Sequence, residues 1–294
     1  MMHRNTAKAL AALAAILTAS GAAMAQTAAP AAAPEPAPAP TSPLTANITP
    51  TTNYKFRGQD QDQIGNNGLY KTRAVKPAIQ GGFDYAFGES GFYIGNWNSS
   101  VNWLAGNSIE MDVYGGYKFK GGPIDWDIGV LTYVYPGNSA GATTEIYGAG
   151  TWADENIGAF TAKYSWTVSK DYFNYAGNKG GSGLDGTNTG YLNLSYTKEI
   201  VPKLTFKTAL GYTFFTSDIK SLGYKDYLDY NVGVSYDFGS GLALAGSVQG
   251  GNNQSAFNLI ATPGIPTGTV FGPIGQTTFS PNVTRFIVTL TKTL

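Results

Sequence analysis

The chain has no cysteine and one histidine, His3. Without cysteine there are no disulfides, no thiol nucleophile and no thiolate metal site. Charge is scarce too: Asp, Glu, Lys and Arg make up 13% of residues, with 19 of each sign. That balance gives no reason to expect a nucleic-acid partner. Beyond the first 25 residues no apolar run approaches transmembrane-helix length, and no long helical period appears. What is plentiful is glycine, 38 residues, and aromatic side chains, 13% of the chain.

Residues 1–25, MMHRNTAKALAALAAILTASGAAMA, carry Arg4 and Lys8 in a basic start, then an apolar middle from Ala9, then Ala23-Met24-Ala25. This is the pattern of a secretory signal peptide cut before Gln26. The apolar run is too short and too Ala-rich to favour a retained anchor. Its removal leaves a mature chain that is slightly acidic and lacks histidine. Residues 26–43, QTAAPAAAPEPAPAPTSP, alternate alanine and proline with almost no charge. Such a segment buries no core and favours extended conformations, so a periplasmic linker is expected.

From residue 44 to 294 about twelve segments alternate apolar and polar at period two. They start near Ala46, Ala78, Tyr93, Ile109, Ile124, Thr144, Gly158, Tyr191, Leu204, Tyr227, Leu242 and Val283. Each has about the nine to eleven residues that a tilted strand needs to cross a bilayer. The first is read as one strand from Ala46 to Gly58. Five connections are tight turns: Phe87 to Gly91, Lys120 to Pro123, Ala153 to Asn156, Val201 to Lys203 and Gly239 to Gly241. Between them lie longer polar links, Gly58 to Lys76, Pro136 to Thr143, Tyr172 to Asn188, Thr216 to Lys225 and Asn252 to Pro281; only the link after Trp103 is short. Loops sorted by side in this way are a mark of outer-membrane barrels, with short periplasmic turns and long external loops. A soluble sandwich has no reason to sort them. The fold class expected is all-β: a single antiparallel transmembrane β-barrel of about 12 strands, behind the signal peptide and linker, with periplasmic termini.

Two segments show the face chemistry. In Ile109 to Phe119, Ile109, Met111, Val113, Tyr117 and Phe119 share a parity opposite Glu110, Asp112 and Lys118. In Ile124 to Gly137, Ile124, Trp126, Ile128, Val130 and Val134 stand opposite Asp125 and Asp127. An apolar face meets lipid and a charged face meets a wet lumen. Phe87, Phe119, Trp152 and Phe238 beside the tight turns, and Tyr54, Phe56, Phe214 and Phe215 beside long links, are expected as two aromatic girdles.

Several blocks resemble the TorF family of porins. Asn53-Tyr54-Lys55-Phe56-Arg57-Gly58-Gln59 is similar to its start, and Pro77-Ala78-Ile79-Gln80-Gly81-Gly82-Phe83-Asp84-Tyr85 to a following block. Gly91 to Trp97 and Asp127 to Gly137 continue the match over the first half of the barrel. The resemblance implies an outer-membrane barrel with a pore function. The chain departs from the pattern in a longer link between Gly58 and Pro77, and in ending on Leu294 rather than phenylalanine.

Inward parity makes Lys55, Arg57, Asp84, Glu110, Asp112, Lys118, Asp125, Asp127, Glu145, Lys163, Lys207, Asp229 and Arg285 candidates for lining a pore. Closing the hairpin at Lys120 to Pro123 sets Lys118 opposite Asp125 and Gly116 opposite Asp127. Asp125 is then half of a structural pair, and Asp127 is free to tune selectivity. Glu110, Asp112, Asp127 and Glu145 fall on one wall, and Lys55, Arg57 and Arg285 on the other, an arrangement that sets a transverse field across the lumen. The alternative is that these charges pair through Lys163 and Lys207 and fill a closed lumen.

Enzyme readings are weak. Ser99, Ser165 or Ser195 would lack an imidazole base in the mature chain. Glu110 and Asp112, two apart on one strand face, are more simply lumen lining. No calcium-loop signature and no cofactor motif is present. The expected partners are outer-membrane lipids and small polar solutes, with passive diffusion as the function. The competing reading is a plugged barrel acting in binding or adhesion through its external loops, Tyr172 to Asn188 and Asn252 to Pro281.

Overall fold

The computed structural model describes residues 42–64, 71, 73–104, 106–257 and 279–294. The expected signal peptide, nearly all of the linker, and Leu259, Ile260, Val270 and Phe271 of the last long link lie outside the described residues. Chain alternation becomes a sheet closed on itself. Its strands are β1 (Leu44–Thr51), β4 (Ala78–Ala86), β5 (Phe92–Ser100), β6 (Ile109–Gly121), β7 (Ile124–Val134), β8 (Thr143–Asp154), β9 (Gly158–Thr167), β10 (Gly190–Val201), β11 (Leu204–Phe214), β12 (Tyr227–Gly239), β13 (Leu242–Gly251) and β14 (Arg285–Thr293). Each pairs antiparallel with its neighbour, and β1 closes the ring by pairing with both β4 and β14. Among the described residues, a separate hairpin, β2 (Lys55–Phe56) and β3 (Gln59–Asp60), and a short helix, α1 (Ser217–Ser221), stand beside the barrel strands. Among the described residues no helix is long and apolar enough to cross a membrane.

Closure leaves no unpaired edge, the condition under which strands can sit in lipid. The outer face matches: Val113 is 53% exposed, Leu210 51% and Val232 43%. All five tight turns gather at one end, together with both ends of the sheet, where the Leu294 amide donates to the Ala46 carbonyl at 2.9 Å. The long links gather at the other end.

At the tight-turn end outward aromatics touch in series. Phe92 packs on Tyr117 at 4.8 Å, Tyr117 stacks on Phe119 at 5.7 Å, and Phe160 meets Tyr196 at 4.6 Å. The girdle expected at the other end is only partly composed as expected. Phe214 is outward, with Tyr164, Trp166 and Tyr212, but Tyr54 and Phe215 are buried, at 2% and 5% exposure, and Phe56 is half-buried. They belong to segments that leave the barrel wall and turn inward.

Two expectations of register and extent are corrected. The β6–β7 turn has two residues, Gly122 and Pro123, because Lys120 and Gly121 go on pairing with Asp125 and Ile124. The register therefore slides by two: Lys120 faces Asp125, Lys118 faces Asp127, and Phe119 faces Trp126. The first strand stops at Thr51 rather than Gly58. Beyond it the chain crosses into the lumen as the β2–β3 hairpin, whose two turn residues, Arg57 and Gly58, have φ of +46° and +77°. Two positive φ values in a two-residue loop match the twist that paired strands need. Gly58 is also required by space. A Cβ there would lie 2.7 Å from the Asp229 Cβ and 2.7 Å from the Gly250 carbonyl oxygen, so the tip presses bare backbone against β12 and β13.

Candidate functional site: the lumen and its constriction

The inward hairpin carries two of the expected pore-lining cations away from the wall. Lys55 lies on β2, not on strand one, and its ammonium is 2.9 Å from Asp60. Lys76 stands 2.9 Å from the same carboxylate, and Arg285 of β14 reaches it through Nη2 at 2.8 Å and Nε at 3.0 Å. Three cations thus converge on one acid, and the Lys55, Lys76 and Asp60 side chains have no exposure. Lys55 spends its other donors on the Gly58 and Pro281 carbonyls, at 2.9 and 2.8 Å. Asp60 sits on the hairpin rather than on a spanning strand. Burial pushes its carboxyl up, but Lys55, Arg285 and Lys76 outweigh that and hold it below its ordinary value.

Arg57, at the hairpin tip, bridges the lumen. Its Nη2 donates to both oxygens of Glu145 on β8, at 2.9 and 2.7 Å, and its Nη1 to the Tyr172 hydroxyl at 3.0 Å. The guanidinium lies 4.1 Å over the Tyr191 ring. The expectation of opposed acidic and basic walls facing across open space is therefore corrected. Arg57 has crossed to the acid it was to oppose, while Lys55 and Arg285 turn onto Asp60. Buried charge without a partner is costly, so the link after β1 folds in to supply one.

The remaining carboxylates are met mainly by tyrosine hydroxyls. Glu110 accepts from Tyr54 at 2.7 Å and Tyr135 at 2.5 Å, Asp84 from Tyr114 at 2.6 Å, and Asp229 from Tyr191 at 3.1 Å. Asp127, expected to be free, faces Lys118 in register and accepts from Tyr93 at 2.7 Å. The Tyr93 hydroxyl also meets that of Tyr147. Asp125 is paired as expected, but with Lys120 at 2.6 Å rather than Lys118. Asp112 is buried, and both its carboxylate oxygens lack a hydrogen-bond partner. Lys163 places its ammonium 3.8 Å from the Tyr147 ring centre, and Lys207 is buried on β11 between Thr197 and Gly233 in register.

The structure thus brings Lys55 and Arg285 together around Asp60, Arg57 to Glu145, Lys118 beside Asp127, and Lys120 to Asp125. Asp84, Glu110 and Asp229 stand in separate tyrosine-bonded positions. Sequence reasoning missed Asp60, Lys76 and the tyrosine donors. The inward parity of Tyr93, Tyr114, Tyr133 and Tyr191 was a usable signal; the pairing of each with a carboxylate from another strand was not.

At the long-link end an aromatic cluster packs against the hairpin. Phe56 packs on Phe173 at 5.2 Å, Tyr175 on Tyr224 at 4.6 Å, and Tyr227 on Phe257 at 5.0 Å. The Tyr172 to Asn188 link therefore folds inward through Tyr172, Phe173 and Tyr175. Below and beside the hairpin a cavity remains, lined by Lys55 to Gly58 and by residues of β7 and β9 to β13. Its volume is about 40 Å³. That is room for a few waters, not a wide channel.

Solved structures with similar architecture are porins and channels. The chain is similar to the KdgM porin at TM-score 0.50 and 12% identity, over 84% of this chain and 98% of that one. It is also similar to the NanC porin, at TM-score 0.49 and 12% identity over 84% and 97% of the two chains. The COG4313 outer membrane channel from Pseudomonas putida F1 follows at TM-score 0.45 and 10% identity, over 89% and 98%. At such identities the KdgM likeness is one of fold. A search of curated protein sequences finds no match. The likeness to TorF porins rests on the motifs quoted above. Residues 35–262 match the model of a bacterial protein family of unknown function, and the chain belongs to that family, Gcw_chp.

Proposed function

We propose that this protein is an outer-membrane pore for passive diffusion of small polar solutes, narrowed by the hairpin between β1 and β4. The observation that carries the reading is the pairing of a lipid-compatible outer face with an inner face that keeps Lys118, Asp125, Asp127 and the threonines of β1, β8, β9 and β14 around a lumen. A barrel of twelve strands is wider than the small ones that side chains fill, yet narrower than large porins. The inward loop then sets the limiting size. Residues 1–25 as signal peptide and 26–43 as periplasmic linker fit export to this location. Asp84, Lys118, Asp127, Lys163 and Lys207 are the charges best placed to bias ion passage.

The competing reading, a closed barrel acting through its external loops, draws support from the aromatic packing at the long-link end. Single-channel recording of the refolded mature protein in a planar bilayer separates the two. Steady small conductance, with a reversal potential under a salt gradient that moves in Asp127→Asn, is the outcome expected of a charged pore. An inserted barrel that never conducts contradicts it and favours the closed reading.

A further inference from the structure

The outer face of the barrel is apolar along most strands, and β5 breaks the pattern. Its outward residues are Phe92, Ile94, Asn96, Asn98 and Ser100. Among the described residues of the barrel strands, Asn96 and Asn98 are the only outward-facing amides. Phe92 belongs to the aromatic girdle at the tight-turn end. With a rise of about 3.3 Å per residue and a tilt of about 35–45°, Asn96 and Asn98 stand roughly 10 and 15 Å above it, near the middle of an apolar band about 25 Å tall. Hydrocarbon offers neither donors nor acceptors, so a polar group at that depth is costly unless something pairs with it. Elsewhere on the outer face the hydroxyls of Thr132 and Thr144 meet each other, at 3.1 Å.

The two amides are only partly satisfied within the barrel. Asn96 Nδ2 donates to the Asp112 carbonyl at 3.0 Å, which fixes the orientation of that amide, and its Oδ1 accepts from Asn98 Nδ2 at 2.5 Å. Asn98 Nδ2 gives its second proton to the Gly81 carbonyl at 3.4 Å. Both protons of Asn98 and one of Asn96 are then used. One N–H of Asn96 and the Oδ1 of Asn98 have no partner among the described residues, and both side chains are half-buried rather than enclosed. A donor and an acceptor thus stand side by side on the outer face. Gly81 lies opposite Asn98 in register and bears no side chain, so the surface dips there between Ile79 and Phe83, which are 65% and 48% exposed.

We infer that this patch of β4 and β5 is a docking surface within the membrane for a second copy of this chain. The leftover groups are self-complementary. Under a two-fold axis along the membrane normal, the Asn96 N–H of one copy meets the Asn98 Oδ1 of the other, and the same operation makes the reverse contact. Two barrels that face each other in this way cross their tilted strands at about 70–90°, twice the tilt. Contact then concentrates around one point, and the dip at Gly81 lets the two walls approach there. Acyl chains have no group to offer Asn96 or Asn98. An unrelated membrane protein would have to bring a donor and an acceptor at the same spacing, which a second copy brings by symmetry. The inference goes beyond the pore reading: it needs the barrel and its lipid face, and it stands whether or not the lumen conducts.

The chain has no cysteine, so a single introduced thiol is unique. The test is cross-linking of the refolded mature protein in phosphatidylcholine vesicles with a short bismaleimide. One sample carries Val113→Cys, opposite Asn96 on β6, and another Leu210→Cys on β11, on the far side of the ring. A cross-linked dimer is expected at Val113 and not at Leu210. Sedimentation equilibrium in detergent micelles then compares the parent with Asn96→Leu and Asn98→Leu. Each should weaken the dimer about tenfold, the loss of two symmetry-related hydrogen bonds in an apolar medium. Leucine is at home in lipid, so both variants should fold, and heat-modifiable migration on gels checks that they do. A parent that is monomeric at every loading, equal linking at the two sites, or folded leucine variants that dimerise as tightly as the parent overturns the inference. So does a Val113→Cys adduct in native outer membranes whose mass is that of a different protein, which would give the face to another partner.

Discussion

The two ends of the lumen use the same residue types and treat them differently. Near the tight turns, Lys120 and Asp125 form an ion pair whose side chains are 62% and 33% exposed. Near the long links, Asp60 sits under Lys55, Lys76 and Arg285 with no exposure, and Arg57 grips Glu145 with 6% and 1%. An exposed pair is screened and contributes little, whereas a buried one cannot lose a partner without stranding the other. The wet end is a plain consequence of strand parity. The dry end exists because a loop enters it carrying its own charges.

Removing the buried acid should give the largest effect. Asp60→Asn leaves Lys55, Lys76 and Arg285 together without an anion, a loss on the order of 3–5 kcal/mol for a broken buried pair. The hairpin should detach, and single-channel conductance should rise. Glu145→Gln should follow, at about 3 kcal/mol on the same argument, read as a lowered midpoint of urea unfolding in lipid vesicles. Tyr54→Phe removes one of two hydroxyl donors to Glu110. It should cost about 1–3 kcal/mol by the same unfolding measurement, the range for a buried acceptor that loses a partner. Asp125→Asn should be the mildest, below about 1 kcal/mol, with a small shift in reversal potential.

Acid should separate the two ends as well. The Asp60 carboxyl is held below its ordinary value, so its contribution is complete above the unfolded value of about 3.9 and is lost as pH falls through the lower, folded value. Conductance should therefore stay at its neutral-pH level down to about pH 4 and increase only in stronger acid. Asp60→Asn should lack that acid step. A parent protein that opens between pH 5 and 7 would break the comparison.

How much could be read beforehand follows the same division. Period two, the glycine-rich turns and the sorting of long from short links were enough to find all twelve barrel strands, since those signals are local. The β6–β7 register was two residues off because Lys120 and Gly121 look like turn residues but continue the ladder. The hairpin was hidden by its first turn residue. Arg57 takes a positive φ usually given to asparagine, aspartate or glycine, so only Gly58 marked the turn. Arg285 meets Asp60 across 225 positions of sequence, and no spacing rule reaches that far. Inward parity named most of the charged lumen residues; it could not say which would meet.

The most direct test of the account is single-channel conductance of Asp60→Asn beside the parent protein in the same bilayer at neutral pH. If the hairpin is held across the lumen by that carboxylate, the variant conducts more than the parent and loses discrimination between small and large polar solutes. Equal conductance and equal solute cutoff, from a variant that folds and inserts, would contradict a constriction pinned at Asp60.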